Sequence, residues 1–385
     1  MDILIRGGRL LSGEPADVLV SDGVIAAVGV IADRPAEVID ASGLHVGPGL
    51  VDGHRHVWQS PLRGAGADMT LPDYFGAVLG RALPRYRAQD ANLAALLGAA
   101  EALDAGVTTV FDWCNVPHVD AVLDAYATAG IRAVVAAADR PGARAVAGRA
   151  GLVTGAMAVF APPGTVADEL RFARDLGLFA SMHANGGRGG GLDRLDAAGL
   201  LGPWLQLVHV NAMTAEDAHR LADTGTGVTV TPVVEATMGH GESPYTRFLA
   251  AGGRAGLGTD VVVNAPPDLF EPMRETLRRH RAESGTMAPA GSVLAAATAD
   301  SAAAIGLGDV AGAVAVGRPA DLVLFSGLDH LAGDVTGALV TTLGPADVHT
   351  VLVDGRVVKR DGRLVSLDLA TLRASAAEVG RRVLR

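Results

Sequence analysis

The sequence predicts an α/β protein: a (β/α)8 TIM-type barrel with a small composite β-sandwich formed by the N- and C-terminal segments. Three observations carry that expectation. Eight short apolar runs recur through the middle of the chain, helical periodicity fills most of the gaps, and one short-strand texture both opens and closes the sequence. The runs cover residues 49–51, 108–111, 132–136, 155–160, 178–182, 206–208, 228–231 and 255–258. Between the first two, residues 92–104 place Leu93, Leu96, Leu97, Ala100 and Leu103 at helical spacing, with Gly106 as a C-terminal stop. Residues 119–129, 166–176, 215–223, 269–281 and 292–304 follow the same rule. Strands alternating with helices over about 250 residues are the pattern of a closed parallel barrel.

The chain ends read differently. "ILIRGGRLL", "ADVLVSDGVIAAVG" and "AEVIDASGLHV" are strand-like and separated by turn residues such as Asp22–Gly23 and Ser42–Gly43. The same texture returns in "VAVGRPADLVLFSG" and "VHTVLVDGRVVKRDGRLV". The expected division is residues 1–47 plus 313–365 for the sandwich, 48–312 for the barrel and 366–385 for a C-terminal helix.

Composition narrows the function. A chain of 385 residues with 49% hydrophobic residues can bury a large core, yet no apolar run approaches the roughly 18–20 residues of a membrane span. A net charge of −10 argues against a nucleic-acid partner. The single cysteine, Cys114, excludes an internal disulfide framework. Met1–Arg6 leads straight into strand-like sequence, so no cleavable signal peptide is expected, and the expected location is cytoplasmic. A small-molecule substrate is the expected partner.

The chemistry sits where barrel strands end. "VDGHRHVWQSPLRG", residues 51–64, places His54 and His56 two apart, on one face if the strand continues. The fifth run ends "FASMHANGG" at His183, the sixth "LVHVN" at His209, and the eighth "GLGTD" at Asp260. Taken singly, His183 is an ordinary polar residue after an apolar run, and Asp260 a loop cap. His45, His118, His219, His280, His330 and His349 keep that bland reading, because none ends a predicted barrel strand. Four histidines and an aspartate at convergent strand ends make a metal site.

With "GPGLVDGHRHVWQSPLRG", and with "GRPADLVLF" and "VLVDGRVV" near the C-terminus, the chain resembles the amidohydrolase superfamily over nearly its whole length. It is particularly similar to the branch of purine, cytosine and S-adenosylhomocysteine deaminases and triazine hydrolases. The resemblance implies that His54, His56, His183 and Asp260 hold one divalent metal, with His209 orienting the attacking water or the substrate. It also implies a possible homo-oligomer, a dimer. Many superfamily members hold two metals bridged by a carbamylated fourth-strand lysine. Here that strand ends in "AVFAPPG", without lysine or acid, and the only lysine is Lys359. One metal is expected, zinc before iron. The expected function is metal-dependent hydrolysis of a C–N bond in a small cyclic nitrogenous compound, deamination first, with Asp260 shuttling the proton. Hydrolysis of a cyclic amide, or displacement of another leaving group, is the alternative. A catalytically silent binding barrel is the rival, and the intact ligand set argues against it.

The pattern breaks at one place. Deaminases of this branch carry a glutamate three residues after the fifth-strand histidine, and here that residue is Gly186. Another residue supplies the proton, the reaction does not need it, or the enzyme is degenerate. "TPVVEATMGHGES" after the seventh strand offers Glu235 and His240 as acid or substrate anchor, and Glu242 as a solvated loop residue. Trp58, Gln59 and Trp113 are expected to stack on, or hydrogen-bond to, a planar heterocycle. Cys114 reads as a small buried hydrophobe, and Arg55 as a brace for the barrel. The stretch 63–87, with "LPDYF", is either a lid or ordinary packing.

Overall fold

The computed structural model describes residues 2–32, 37–160, 162, 164–184, 191–331 and 333–385. Eight parallel strands follow one another in chain order: Leu50–Arg55, Val107–Cys114, Arg132–Ala137, Val153–Val159, Phe179–His183, Leu205–Val208, Gly227–Val230 and Ala255–Leu257. The first three are buried along their whole length, as parallel strands covered on both faces must be. The expected runs and the observed strands coincide.

The ring closes between the eighth strand and the first through only a few bonds. Asp260 N donates to His54 O at 2.9 Å, and His56 N donates to Asp260 O at 2.9 Å. The buried Asp52 carboxylate accepts from Thr259 N at 3.0 Å and Thr259 Oγ1 at 2.6 Å. The closing seam therefore runs through the residues that the sequence marked for chemistry.

Helices Ala88–Asp104, Val119–Ala129, Val166–Asp175, Ala215–Thr224 and Phe270–Ser284 connect the strands. The expected helix over 292–304 is two, Ala290–Ala296 and Ala299–Ala304. The break has a cause: Ala297 O leaves the helical ladder to accept from Val51 N of the first strand at 2.9 Å. Four short helices, Arg140–Val146, Gly191–Ala197, Pro232–Thr237 and Tyr245–Ala250, were not expected. Six or seven residues are too few for periodicity to show.

The chain ends build a nine-stranded sheet. The two halves meet where His45–Pro48 pairs antiparallel with Leu322–Phe325. The sheet curls until its edge residue Val24 bridges Pro319, enclosing a core of Ile3, Ile5, Val18, Val20, Ile25, Leu322, Leu324 and Leu352. The sandwich is thus one continuous sheet folded on itself. Lys359 ties it to the barrel: its Nζ lies 2.9 Å from Asp104 Oδ1 and donates to Asp104 O at 2.6 Å.

Helix Leu369–Leu384 packs on Ala88–Asp104 and on the Val57–Leu62 turn that follows the first strand. Arg382 reaches the buried Asp90 at 2.5 Å. At Gly380 a Cβ would stand 2.4 Å from Pro61 O, so only glycine permits this approach. Among the described residues no helix is long and apolar enough to cross a membrane.

Candidate metal centre

Five side chains converge at the C-terminal end of the barrel. His54 Nε2 lies 3.3 Å from Asp260 Oδ1, and His56 Nε2 lies 3.4 Å from the same oxygen. His183 Nε2 lies 3.1 Å from His54 Nε2. His209 Nε2 is 3.8 Å from Asp260 Oδ2. Ligand atoms of His54, His56 and Asp260, and those of His54, His183 and His209, fall within 4.8 Å of one another. His209 (φ 72°), Val210 (φ 51°) and Asp260 (φ 58°) adopt left-handed backbone conformations without being glycine. Such strain persists where surrounding contacts over-determine it, and it aims both side chains inward.

Hydrogen-bond partners decide which nitrogens are bare. Trp58 Nε1 can only donate, and it donates to Asn115 Oδ1 at 3.1 Å. His56 Nδ1, 2.7 Å from that oxygen, must therefore donate as well, leaving Nε2 with a free lone pair toward Asp260. His209 Nδ1 faces Thr231 Oγ1 at 3.0 Å and Glu235 Oε1 at 3.3 Å, and a carboxylate only accepts, so His209 Nδ1 carries a proton. Glu235 is itself fixed by Thr231 N at 2.9 Å. This is the arrangement of a metal-binding imidazole held by an outer carboxylate or amide.

Electrostatics agree with a cation in the centre. Burial lowers the pKa of His54 to about 4, despite help from Asp260. Burial likewise lowers His56, and burial with the neighbouring imidazoles holds His183 well below the ordinary histidine value. These three are neutral, which is the form that binds metal. Burial alone would raise Asp260, but the His54 hydrogen bond and the surrounding imidazoles, His209 first, carry it well below the carboxylate range. His209 differs: burial opposes its charge, yet the Glu235 hydrogen bond and Asp260 outweigh burial and raise its pKa. His54 Nε2 and His183 Nε2 lie 3.1 Å apart beside Asp260 Oδ1, a compact set of nitrogen and oxygen donors. The donor set fits a divalent ion.

A polar ladder inside the barrel supports this floor. Trp113 Nε1 donates to Ser181 Oγ at 2.9 Å, and Ser181 Oγ donates to Gln206 Oε1 at 2.6 Å. Gln206 Nε2 donates to Gly53 O at 2.7 Å and Thr229 Oγ1 at 2.6 Å. Strands one, two, five, six and seven are thereby locked in register beneath the site. Trp113 then stacks on His183 with ring centroids 3.8 Å apart.

Above the floor opens a cavity of about 410 Å³. Trp113, His183, His209, His240 and Asp260 line it, with Asn115, which the sequence reading passed over. Trp58 and Gln59 are placed one layer behind instead: Trp58 holds Asn115, and Gln59 Nε2 donates to Tyr74 Oη at 2.6 Å. The chain turns into a 3-10 helix at Val57, and both side chains are buried in it away from the cavity. Glu235 is buried behind His209 and is not among the residues that line the cavity. His240 does face the cavity, its ring edge-on to His209 at 5.1 Å, and neither ring nitrogen has a partner. From the 63–87 stretch, Leu71, Tyr74, Phe75 and Leu79 cover the cavity, whereas Arg63 pairs with Glu101. Cys114 is buried, and Arg55 is fully buried against Asp52 at 3.7 Å and Pro267 O at 3.2 Å. Gly186 lies outside the described residues.

Comparison with known proteins gives a consistent picture. The model of the amidohydrolase family matches residues 46–358. The 5-methylthioadenosine/S-adenosylhomocysteine deaminase of Desulforudis audaxviator is 29% identical over 429 aligned positions, covering 100% of this chain and 99% of the relative. The 5'-deoxyadenosine deaminase of Methanosarcina mazei is 28% identical, covering 95% of each chain. A solved adenosine deaminase from Xanthomonas campestris with bound zinc superposes with a TM-score of 0.90 at 25% identity, covering 99% of this chain and 98% of that one. An atrazine chlorohydrolase from Arthrobacter aurescens TC1 complexed with zinc shares the fold, with a TM-score of 0.87 at 23% identity over 98% of this chain and 99% of that one.

Proposed function

The chain belongs to the amidohydrolase family, and on that premise we propose that it is a mononuclear metal-dependent deaminase of a small cyclic nitrogenous compound. His54, His56, His183 and Asp260 would hold one divalent ion, zinc before iron. The observation that carries this reading is the convergence of His54 and His56 Nε2 on one Asp260 oxygen, with His183 Nε2 beside them. An ion held there would lower the pKa of bound water toward neutrality. Asp260 then takes the proton of the attacking water and returns it to the leaving group. His209, its tautomer set by Glu235, directs Nε2 toward that water. His240, with unpartnered ring nitrogens facing the cavity, donates to a ring nitrogen of the substrate in place of the acid missing at Gly186. The deaminase names of the relatives favour ammonia as the leaving group.

Elemental analysis of protein purified without chelator, joined to an ammonia-release screen of aminated heterocycles, tests the reading. One equivalent of metal with ammonia release supports it. Two equivalents, both needed for activity, would overturn the mononuclear part. Hydrolysis of a cyclic amide is the second reading, favoured by one feature: with Gly186 bare and Glu235 turned to His209, Asp260 alone could protonate an amide nitrogen. Lactams belong in the same screen. The dimer and the cytoplasmic location complete the proposal, and light scattering and cell fractionation check them.

A further inference from the structure

The strand that carries His54 and His56 is out of step with its neighbour where those histidines stand. Asp52 lies opposite Val110 and Arg55 opposite Asp112, so the first strand advances three residues while the second advances two. Such a bulge leaves one residue without a regular ladder partner and bends the strand. Asp260 exchanges backbone bonds with His54 and His56 from the eighth strand. From the second strand the hold at the end of this stretch is a side chain: Asp112 Oδ1 accepts from Val57 N at 3.0 Å, directly after His56.

Asp112 is an unexpected residue for its place. Phe111 and Trp113 belong to the barrel interior, so Asp112 between them points outward, toward helix Val119–Ala129. Tyr126 of that helix donates its Oη to Asp112 Oδ2 at 2.8 Å. Both carboxylate oxygens are thus engaged, at 1% exposure. Burial pushes the carboxyl up to about 6, although Tyr126, Val57 N and Arg55 all favour its charge. An apolar residue would fill this layer at less cost. The carboxylate differs from one in what it holds, the backbone behind His56. Asn115, three residues on, holds the ring of the same histidine at Nδ1. Backbone and ring of His56 are therefore both fixed from the end of the second strand.

Resting on the metal-centre reading above, we propose that Asp112, aimed by Tyr126, is a positioning residue for the metal. By fixing Val57 N it sets the direction in which His56 presents Nε2. Without it Val57 N–H is left buried and unpaired, a cost the backbone relieves by turning. His56 turns with it.

The experiment reads the metal and needs no substrate. Zinc-loaded protein is titrated with a chromophoric chelator, and cobalt-loaded protein is compared by visible absorption, which reports ligand geometry. Asp112→Ala should weaken zinc binding about tenfold and shift the cobalt bands. Asp112→Asn keeps an acceptor for Val57 N, while the Tyr126 hydroxyl can turn to accept from the amide. It should keep the wild-type spectrum. Tyr126→Phe keeps the ring in its core, releases one carboxylate oxygen, and should weaken zinc binding in the same direction. A role in fold stability alone would lower Tm without moving the spectrum of the loaded protein. If neither Asp112→Ala nor Tyr126→Phe alters zinc affinity or the cobalt bands, the inference is overturned. It is overturned equally if Asp112→Asn shifts the bands as far as Asp112→Ala, since charge and not the hydrogen bond would then be responsible. If the wild-type chain holds neither ion, the metal-centre reading falls and takes the inference with it. If Asp112 acts as stated and no aminated ring or lactam is hydrolysed, the positioning role stands and the hydrolytic reading falls.

Discussion

Glu235 shows how a single residue's role depends on what its side chain faces. Its carboxylate keeps a proton of His209 on Nδ1, while Nε2 faces Asp260 Oδ2 at 3.8 Å. Glu235→Gln keeps the shape but can offer an amide N–H instead, which would flip that tautomer. We expect kcat to fall about 10–100-fold with metal content and KM nearly unchanged, the size usual for an outer partner of a site imidazole. An unchanged kcat would make Glu235 part of a buried network only. Asp260→Asn should abolish turnover, since it removes the proton shuttle and weakens a ligand. His209→Ala should lose more activity than metal; equal metal loss in both variants would move His209 into the ligand set. His240→Ala should lower kcat by much of the roughly 10²–10⁴-fold that a positioned general acid supplies, with the metal site still filled. The five converging residues were legible because polar side chains at the ends of apolar runs share one rim of a barrel. Direction was not legible once the chain left a strand. Trp58 and Gln59 follow His56 closely, but the 3-10 turn rotates them behind the cavity. Asn115 was missed although it directly follows the second strand, where only Trp113 and Cys114 were weighed.

At the scale of elements, the C-terminal helix is what steadies the first barrel connection. Gly380 lets it approach so closely that an added Cβ would stand 2.4 Å from Pro61 O, a backbone atom that cannot rotate aside. In an exposed helix, Gly→Ala gains about 1 kcal/mol of propensity. Overpacking a tight contact costs about 1–3 kcal/mol, so the loss should win. Gly380→Ala should therefore lower Tm in a thermal melt, and a rise in Tm would show that the helix yields without strain. The strands themselves were readable because parallel strands buried on both faces are short, continuous apolar runs. Even the three-residue strand Ala255–Leu257 was found, through "GLGTD". The split at Ala297 was not readable, because its cause is a tertiary bond from Val51 some 246 positions away in the chain. The single curled sheet was equally hidden, since strand texture does not reveal which strands pair.

Over the whole molecule, the metal site and the barrel's closing seam are the same place, so the site's protonation must act on global stability. His54, His56 and His183 all have folded pKa values below the unfolded 6.5, that of His54 near 4. Between about pH 6.5 and 4 the unfolded chain therefore binds more protons at these positions than the native one. Stability falls as pH drops through that window. His209 has the opposite sign: its raised pKa adds stability below 6.5 that is lost as pH rises. Asp260 stays charged across the window, because its folded value lies well below 3.8. Three histidines against one set the direction. Chelator-treated protein should lose Tm steadily from about pH 7 to pH 5. Zinc should raise Tm at neutral pH by mass action, and the increment should shrink toward pH 5 as protons compete for the imidazoles. His183→Asn removes one of the three titrating groups without touching the backbone bonds at Asp260, and should flatten the pH dependence of the chelated protein. A chelated protein whose Tm holds or rises toward pH 5 would break the link between the seam and its histidines.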